Sequence, residues 1–566
     1  MKNTITGLLS LIFLGFCQML YAQNNASRFS GNLETTTNFF IRDERIGAAN
    51  TPQYDHQLTG VDAWLQLNYS NWGFDIGVRF DLFNNSNLLN PQGSYNEQGI
   101  GRWFIRKKVN KLDISVGYLY DQIGSGIIFR AYEQRPLLID NSLYGLRLNY
   151  DITDFLQVKA LAGRQKQQFD LYESNIKAIN FDAFFSGGGG DKGKSWSLAP
   201  GIGVLNRTLA DNAMNVVVST VNTYTVQDTF TPNYNTYAFS VYNTASYGDF
   251  SWYAEGAFKT EDALNDPFGE FRLDGGGTQV GDKFINETGT VLYSSVSYAN
   301  KDNGIGITLE AKRTEFFSLR TRPDVLLNRG IINFLPPMNR VNTYRLLSRY
   351  SPAVQELGEM AYQADIRYSP TRKLSFNLNL SNIEDLNGQR LYREIYFETS
   401  YKYKRKWQIL GGIQFLNYNQ EIYEVKPDVP IVETITPYVD FLYKFSRKKA
   451  IRFEFQYMLT GDDEKAGFKQ DYGDWAFGLV EFTLAPHWAF TLSDMYNINP
   501  GVNSPVDGEG GREAVHYPRA DIFYTHKANR FSFSYVKQVE GIVCAGGVCR
   551  LEPAFSGFKL GINSTF

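Results

Sequence analysis

Apolar and polar residues alternate one for one over long stretches of this chain. From 72 to 82, Trp72, Phe74, Ile76, Val78, Phe80 and Leu82 share one face, and Asp75, Gly77, Arg79 and Asp81 share the other. From 451 to 459, Ile451, Phe453, Phe455, Tyr457 and Leu459 oppose Arg452, Glu454, Gln456 and Met458. The pattern recurs in 61–69, 112–120, 374–380 and 529–536. Side chains of an extended strand point alternately to its two faces, so strict period two predicts strands rather than helices. A soluble β-sandwich is the competing reading. Strands this long, with so many aromatics on one face, fit a wall between lipid and water better.

The connections alternate in length as well. Read back from the C-terminus, a long loop (541–554) is followed by a tight turn at Lys527–Asn529, then by 499–513, Ala485–His487, 461–473, Ser446–Lys449, 419–432, Lys404–Lys406, 382–390 and Ser369–Lys373. Read forward from residue 29, tight turns fall near Ser70–Gly73, Asn110–Lys111, Asp151–Asp154, Tyr247–Phe250 and Asn300–Gly304. Short turns on one side and long loops on the other are the pattern of bacterial membrane barrels, with the short turns periplasmic. The two readings differ by one crossing between 315 and 370, which a strand at Leu326–Leu335 repairs. In the strand after it, Tyr344, Leu346 and Tyr350 are expected to face lipid, turning Arg345 and Arg349 inward. The count is then about 26 strands, to within two, in one antiparallel transmembrane barrel.

Composition changes this picture little. The 566 residues contain no Pro- or Ser-rich linker and no charge block, so one large architecture replaces the several domains such a length would suggest. Aromatics make up 15% of the chain, yet mean hydropathy is -0.32, as strands with one lipid face and one wet face require. A net charge of -3 gives no basic surface for nucleic acid.

The N-terminus reads as an export signal. Lys2 precedes an apolar stretch from Ile5 to Phe16, and Ala22 before Gln23 is a plausible cleavage point, with Leu20 where a small residue is usual. Residues 1–22 are therefore expected to be removed, leaving 23–566 as the barrel. Leu14-Gly15-Phe16-Cys17 only faintly resembles a lipoprotein box, because Phe16 stands where a small residue belongs. Downstream of residue 23 there is no run of about 18 apolar residues, so a membrane-embedded chain must be a closed barrel.

The last strand, Gly557 to Phe566, resembles the C-terminal signal read by the barrel-assembly machinery. Lys559, Gly561 and the terminal Phe566 match that signal, and Ser564 departs from it. The whole chain resembles the large outer-membrane barrels of Bacteroidota-type bacteria, whose function is uncharacterised; the resemblance implies a fold and a location but no catalytic motif. TonB-dependent transporters carry an N-terminal plug domain. Here strand-like sequence begins near Phe29, so no plug domain and no TonB-coupled import are expected.

Few residues suggest chemistry. Gly188 to Ser195 spells a P-loop, but Trp196-Ser-Leu-Ala-Pro200-Gly201 opens no helix behind it, so a Gly-rich loop is expected. Cys544 and Cys549 flank Ala-Gly-Gly-Val and are expected to form a disulfide in an exported protein. Zinc would need two further ligands, and no Cys or His lies nearby in sequence. His56, His487, His516 and His526 form no metal spelling. No G-x-S-x-G and no Ser/His/Asp grouping points to an enzyme, and no cofactor is implied.

Arginines remain. Arg130, Arg135, Arg345 and Arg349 are candidates for lumen-facing cations that would favour anions. The plainer reading pairs the arginines with Glu133, Asp140, Glu356 or Glu359. The expected function is a passive, porin-like conduit, narrowed by the long segments 167–199 and 262–287 because so wide a lumen would leak. The alternatives are a non-conducting scaffold for a lipoprotein or secretion partner and, less favoured, an enzyme at the membrane rim. The expected partners are outer-membrane lipid and the assembly machinery.

Overall fold

The computed structural model describes residues 27–89, 92–135, 139–188, 194–272, 277–325, 329–506, 509–545 and 548–566, and in 542–549 only the backbone. The expected export signal, residues 1–22 with Cys17, lies outside the described residues, as does most of the P-loop spelling.

Alternation does what the pattern requires. On Phe74–Ser86 the outward Phe80 is 45% exposed, while the inward Arg79 is 2% exposed. On Lys449–Thr460, Phe453, Phe455 and Leu459 are exposed, and Glu454, Gln456 and Met458 are buried. Strands of this kind pair antiparallel with their neighbours around a single sheet of 25 hydrogen-bonded segments. Two of these, Asp170–Ala183 and Phe185–Gly187, are one strand interrupted at Phe184, since both pair with Trp196–Thr208. The wall therefore has 24 strands among the described residues. It closes where Arg28–Phe40 pairs with Phe555–Thr565, so the sheet has no open edge. The backbone of Phe566 adds to the seam by exchanging two hydrogen bonds with Gly31, at 2.8 and 3.0 Å.

The tight turns stand at one end of the barrel, where expected. Ser195 lies at that end too, since Gly248 N donates to Ser195 O at 3.0 Å. At the other end the strands Phe250–Arg272 and Thr278–Asn300 run far past their neighbours. Pairing with Asn235–Tyr247 stops at Lys259, so the remaining residues project about 40 Å at the rise of a strand. The helix Asp211–Val221 braces this hairpin, with Val217 and Val221 packed on Ala263 and Phe284.

Three expectations are corrected here. No wall strand forms at 326–335 (326–328 lie outside the described residues) or at 341–350, and these two account for the difference between about 26 strands and 24. Segment 316–357 instead leaves the wall after Ile305–Glu315, folds into the lumen and returns at Gly358–Tyr368. Leu346 and Tyr350, expected to face lipid, are buried inside the barrel. Nor do the described residues of 167–199 and 262–287 narrow the lumen. Leu156–Gln167, Asp170–Ala183 and Trp196–Thr208 are wall, and 262–287 is mostly the projecting hairpin. The lumen is instead occupied in part by the described residues of 316–357 and of 120–142, which connects Leu112–Leu119 to Leu143–Asp151. Ile127, Ile128, Phe317, Leu319 and Ile332 form an apolar core there with wall residues such as Leu205, Ala238 and Val291. An apolar residue that meets this core and one that meets lipid look alike in sequence.

Candidate functional site in the barrel lumen

Segment 120–142, the inner loop, is held by charges on the inward faces of the wall. Arg79 reaches three carboxylates: Asp81 (2.6 and 2.8 Å), Glu133 (2.6 Å) and Asp140 (2.8 Å). Lys166 also binds Asp140, at 2.5 Å. Burial alone would raise the Asp140 carboxyl, but Lys166 and Arg79 outweigh it and hold Asp140 well below the usual carboxylate range. At the start of the loop Asp121 meets Arg147 (2.9 Å) and Lys159 (2.7 Å). Ser125 donates to Glu255 through N (2.9 Å) and Oγ (2.6 Å). Gly124 makes that approach possible, because its φ is +56° and a Cβ would stand 2.7 Å from Glu255 Oε1.

Segment 316–357, the strap, is tied to both sides of the wall. On one side Ser174 Oγ donates to Thr321 O (2.6 Å), Arg207 donates to Arg320 O (2.9 Å), and Lys312 binds Pro336 O and Glu359. On the other, Leu346 N donates to Gln456 Oε1 (2.8 Å), Tyr344 to Asp440 (3.2 Å) and Tyr350 to Asp471 (2.7 Å). Ser174 lies on the eighth wall strand and Gln456 on the nineteenth, eleven places apart in a ring of 24, so the strap crosses the lumen. The two segments also hold each other. Arg130 N donates to Ile332 O and Phe334 N to Gly126 O, both at 2.9 Å.

Four arginines were expected to face the lumen. Arg135 binds Glu133 (2.9 Å) and Glu34. Arg349 lies 3.6 Å from Asp471 and stacks on Tyr472 and Trp475. Arg130 has no carboxylate partner among the described residues and lies against Phe334 (4.0 Å) and Tyr132 (4.6 Å). Only Arg345 is both solvent-exposed and without an ion pair among the described residues. Of the proposed carboxylate partners, Glu133 and Asp140 serve Arg79, Glu356 serves Arg320, and Glu359 serves Lys312.

Sequence reasoning missed Arg79, Lys166, Arg207 and Lys312 as the anchors. The signal was present for Arg79, which sits on the polar face of the clearest alternating stretch. Of the residues expected to form the assembly signal, Lys559 and Gly561 fall on Phe555–Thr565 and Phe566 directly follows it, with Lys559 facing inward over Phe555, 4.1 Å from the ring centroid. Backbone register sets Cys544 opposite Cys549 in the hairpin Gly541–Ala545/Val548–Glu552; the side chains that would form the disulfide lie outside the described residues. His516 binds Asp494 at 2.6 Å, while His526 stacks on His487 at the far end of its strand.

Above the strap, at the long-loop end, lies a cavity of about 690 Å³. Phe316, Phe334, Leu335, Val354 and Leu386 give it apolar walls, and Arg207, Asp262, Arg320 and Glu356 contribute paired charges. Among the described residues no group of three or more His, Cys, Asp or Glu is placed to hold a metal.

Solved structures similar to the chain are large barrels. They include the P pilus usher (PapC) translocation pore, 11% identical, covering 95% of this chain and 99% of that one, with a TM-score of 0.42. OccAB4 of Acinetobacter baumannii is 9% identical, with 73% and 97% covered and a TM-score of 0.32. The siderophore receptor PirA of Pseudomonas aeruginosa is 7% identical, with 96% and 81% covered and a TM-score of 0.39. At these values the likeness carries neither residues nor an activity across. No curated protein matches the chain. A family model described as "Family of unknown function (DUF6029)" matches residues 1–566.

Proposed function

The chain belongs to DUF6029, a family of unknown function, and from the geometry of its lumen we propose that it is an outer-membrane conduit for small solutes, narrowed by its own strap and inner loop. The observation that carries this reading is the strap crossing a 24-stranded barrel from Ser174 to Gln456. A wall of that size encloses more space than the 16–18-stranded porins that hold an aqueous channel. An empty lumen would leak, and two tethered segments reduce it to a narrow path. The exposed apolar belt of Phe239, Leu292, Phe455 and Leu492 suits a lipid environment. The short-turn end and both termini face the periplasm in this reading, and the long loops face outside. Outer-membrane lipid is the solvent, and the assembly machinery reads Lys559, Gly561 and Phe566. Arg345 gives the path an exposed cation, and the role is transport rather than catalysis.

Swelling of vesicles holding refolded residues 23–566 tests this. Small neutral sugars are expected to enter, with a cut-off below that of an open porin. Vesicles that exclude every sugar would count against a conduit and favour a scaffold barrel. Vesicles that admit large oligosaccharides as freely as small ones would show that the segments do not narrow it.

A further inference from the structure

The cavity above the strap has the size of a small-molecule site, since such sites span roughly 300–1,000 Å³. Its walls are apolar, so its preference among ligands of similar shape is set by charge. Five carboxylates and two guanidinium groups line it. Three of the carboxylates have a cation: Asp262 meets Arg207 (2.5 Å), Glu356 meets Arg320 (3.1 Å) and Glu315 meets Arg313 (2.8 Å). Lys259, wholly buried behind Asp262, is not among the lining residues.

Asp266 and Asp385 have no ion pair among the described residues; Lys283, opposite Asp266 across the hairpin, is taken by Asp228 at 2.9 Å. Each uses Oδ1 to accept backbone N–H groups, from Phe268 (2.9 Å) in one case and from Asn387 (2.9 Å) and Gln389 (2.7 Å) in the other. Neither Oδ2 has a hydrogen-bond donor among the described residues, and both side chains line the cavity. Apolar walls and two carboxylates without an ion pair call for a ligand with an apolar body and a positive charge.

We infer that this cavity binds small apolar amines, and that it prefers cationic to anionic ligands of the same shape. Such a ligand would be the solute captured at the outer mouth, and that role rests on the conduit reading. Binding does not depend on conduction, so the two can fail separately. The preference also runs against the anion selectivity that the arginines suggested.

Calorimetric titration of the refolded full chain in detergent, with two probes, tests the inference. One is Phe-Leu amide, which carries a positive charge; the other is N-acetyl-Phe-Leu, which carries a negative charge on the same apolar body. The amide is expected to bind about fivefold more tightly, the ratio that corresponds to about 1 kcal/mol for a partly exposed charge. Asp266→Asn with Asp385→Asn keeps the Oδ1 acceptors and should remove the preference, and Asp266→Asn with Asp385→Lys should reverse it. Equal or tighter binding of the acid, no binding of either probe, or a preference that survives the double substitution would overturn the inference. A charge-selective site in a barrel that passes no solute would leave this inference standing and remove the conduit.

Discussion

Replacing Arg79 by Met should release the inner loop while leaving the wall folded. Arg79 is 2% exposed and makes four hydrogen bonds of 2.6–2.8 Å to Asp81, Glu133 and Asp140. Removing one member of a buried ion pair costs on the order of 3–5 kcal/mol, because the opposite charge stays buried. Two neighbours lessen the loss here. Lys166 still reaches Asp140 at 2.5 Å, and Arg135 still reaches Glu133 at 2.9 Å, whereas Asp81 keeps only Lys166 at 3.9 Å. The lower end, about 3 kcal/mol, is therefore expected, which raises the released population roughly a hundredfold. The wall is paired through all 24 strands and does not depend on this cluster, so the cost should appear as local opening. Amide exchange of 121–135, followed by mass spectrometry, reads that opening directly; the Arg130 amide, bound to Ile332 O at 2.9 Å, is the most informative site. Exchange unchanged within about threefold, in a variant with wild-type strand content, would refute the assignment of Arg79 as the anchor.

The same cluster sets an acid limit. With Asp140 held below the usual carboxylate range, its contribution is complete above the unfolded value near pH 4 and is lost as pH falls through the folded value. Protection of the inner loop should thus stay level from pH 8 to 5 and fall below about pH 4, and a loss between pH 7 and 5 would point to another group. A double-mutant cycle on Arg130→Ala and Phe334→Ala should give a coupling of about 0.5–2 kcal/mol between the inner loop and the strap, and additive effects would mean the 4.0 Å stacking carries no energy. Phe455, 52% exposed on the outer face, tests the lipid belt: Phe455→Lys should cost about 2–4 kcal/mol in vesicle refolding if it sits near the midplane, and a neutral result would remove it from lipid.

The wall was legible in the sequence because its physics is local. Period two on 72–82 and 451–459 marks strands with one apolar face, and the ten named tight turns mark one end of the barrel. The lumen was not legible, because its partners are distant in the chain. Nothing near Leu346 announces Gln456, and nothing near Arg79 announces Glu133 or Asp140. The misread strands at 326–335 and 341–350 show the limit most clearly. Their apolar residues meet Leu205, Val291 and Met458 inside the barrel rather than lipid outside it. The arginine clusters were noticed, but which of them stay free depended on carboxylates such as Glu34 and Asp471, brought close only by the fold.

The central claim is that the strap narrows the conduit, and single-channel recording before and after its excision tests that most directly. Phe317 N already donates to Glu356 O (2.8 Å) and Phe316 N to Leu357 O (2.9 Å), so residues 318–355 can be replaced by a short Gly/Ser turn without disturbing the wall. The full chain should show small openings, and the excised chain a stable conductance several times larger. Equal conductances from two folded barrels would contradict the account, because the strap would then not obstruct the path.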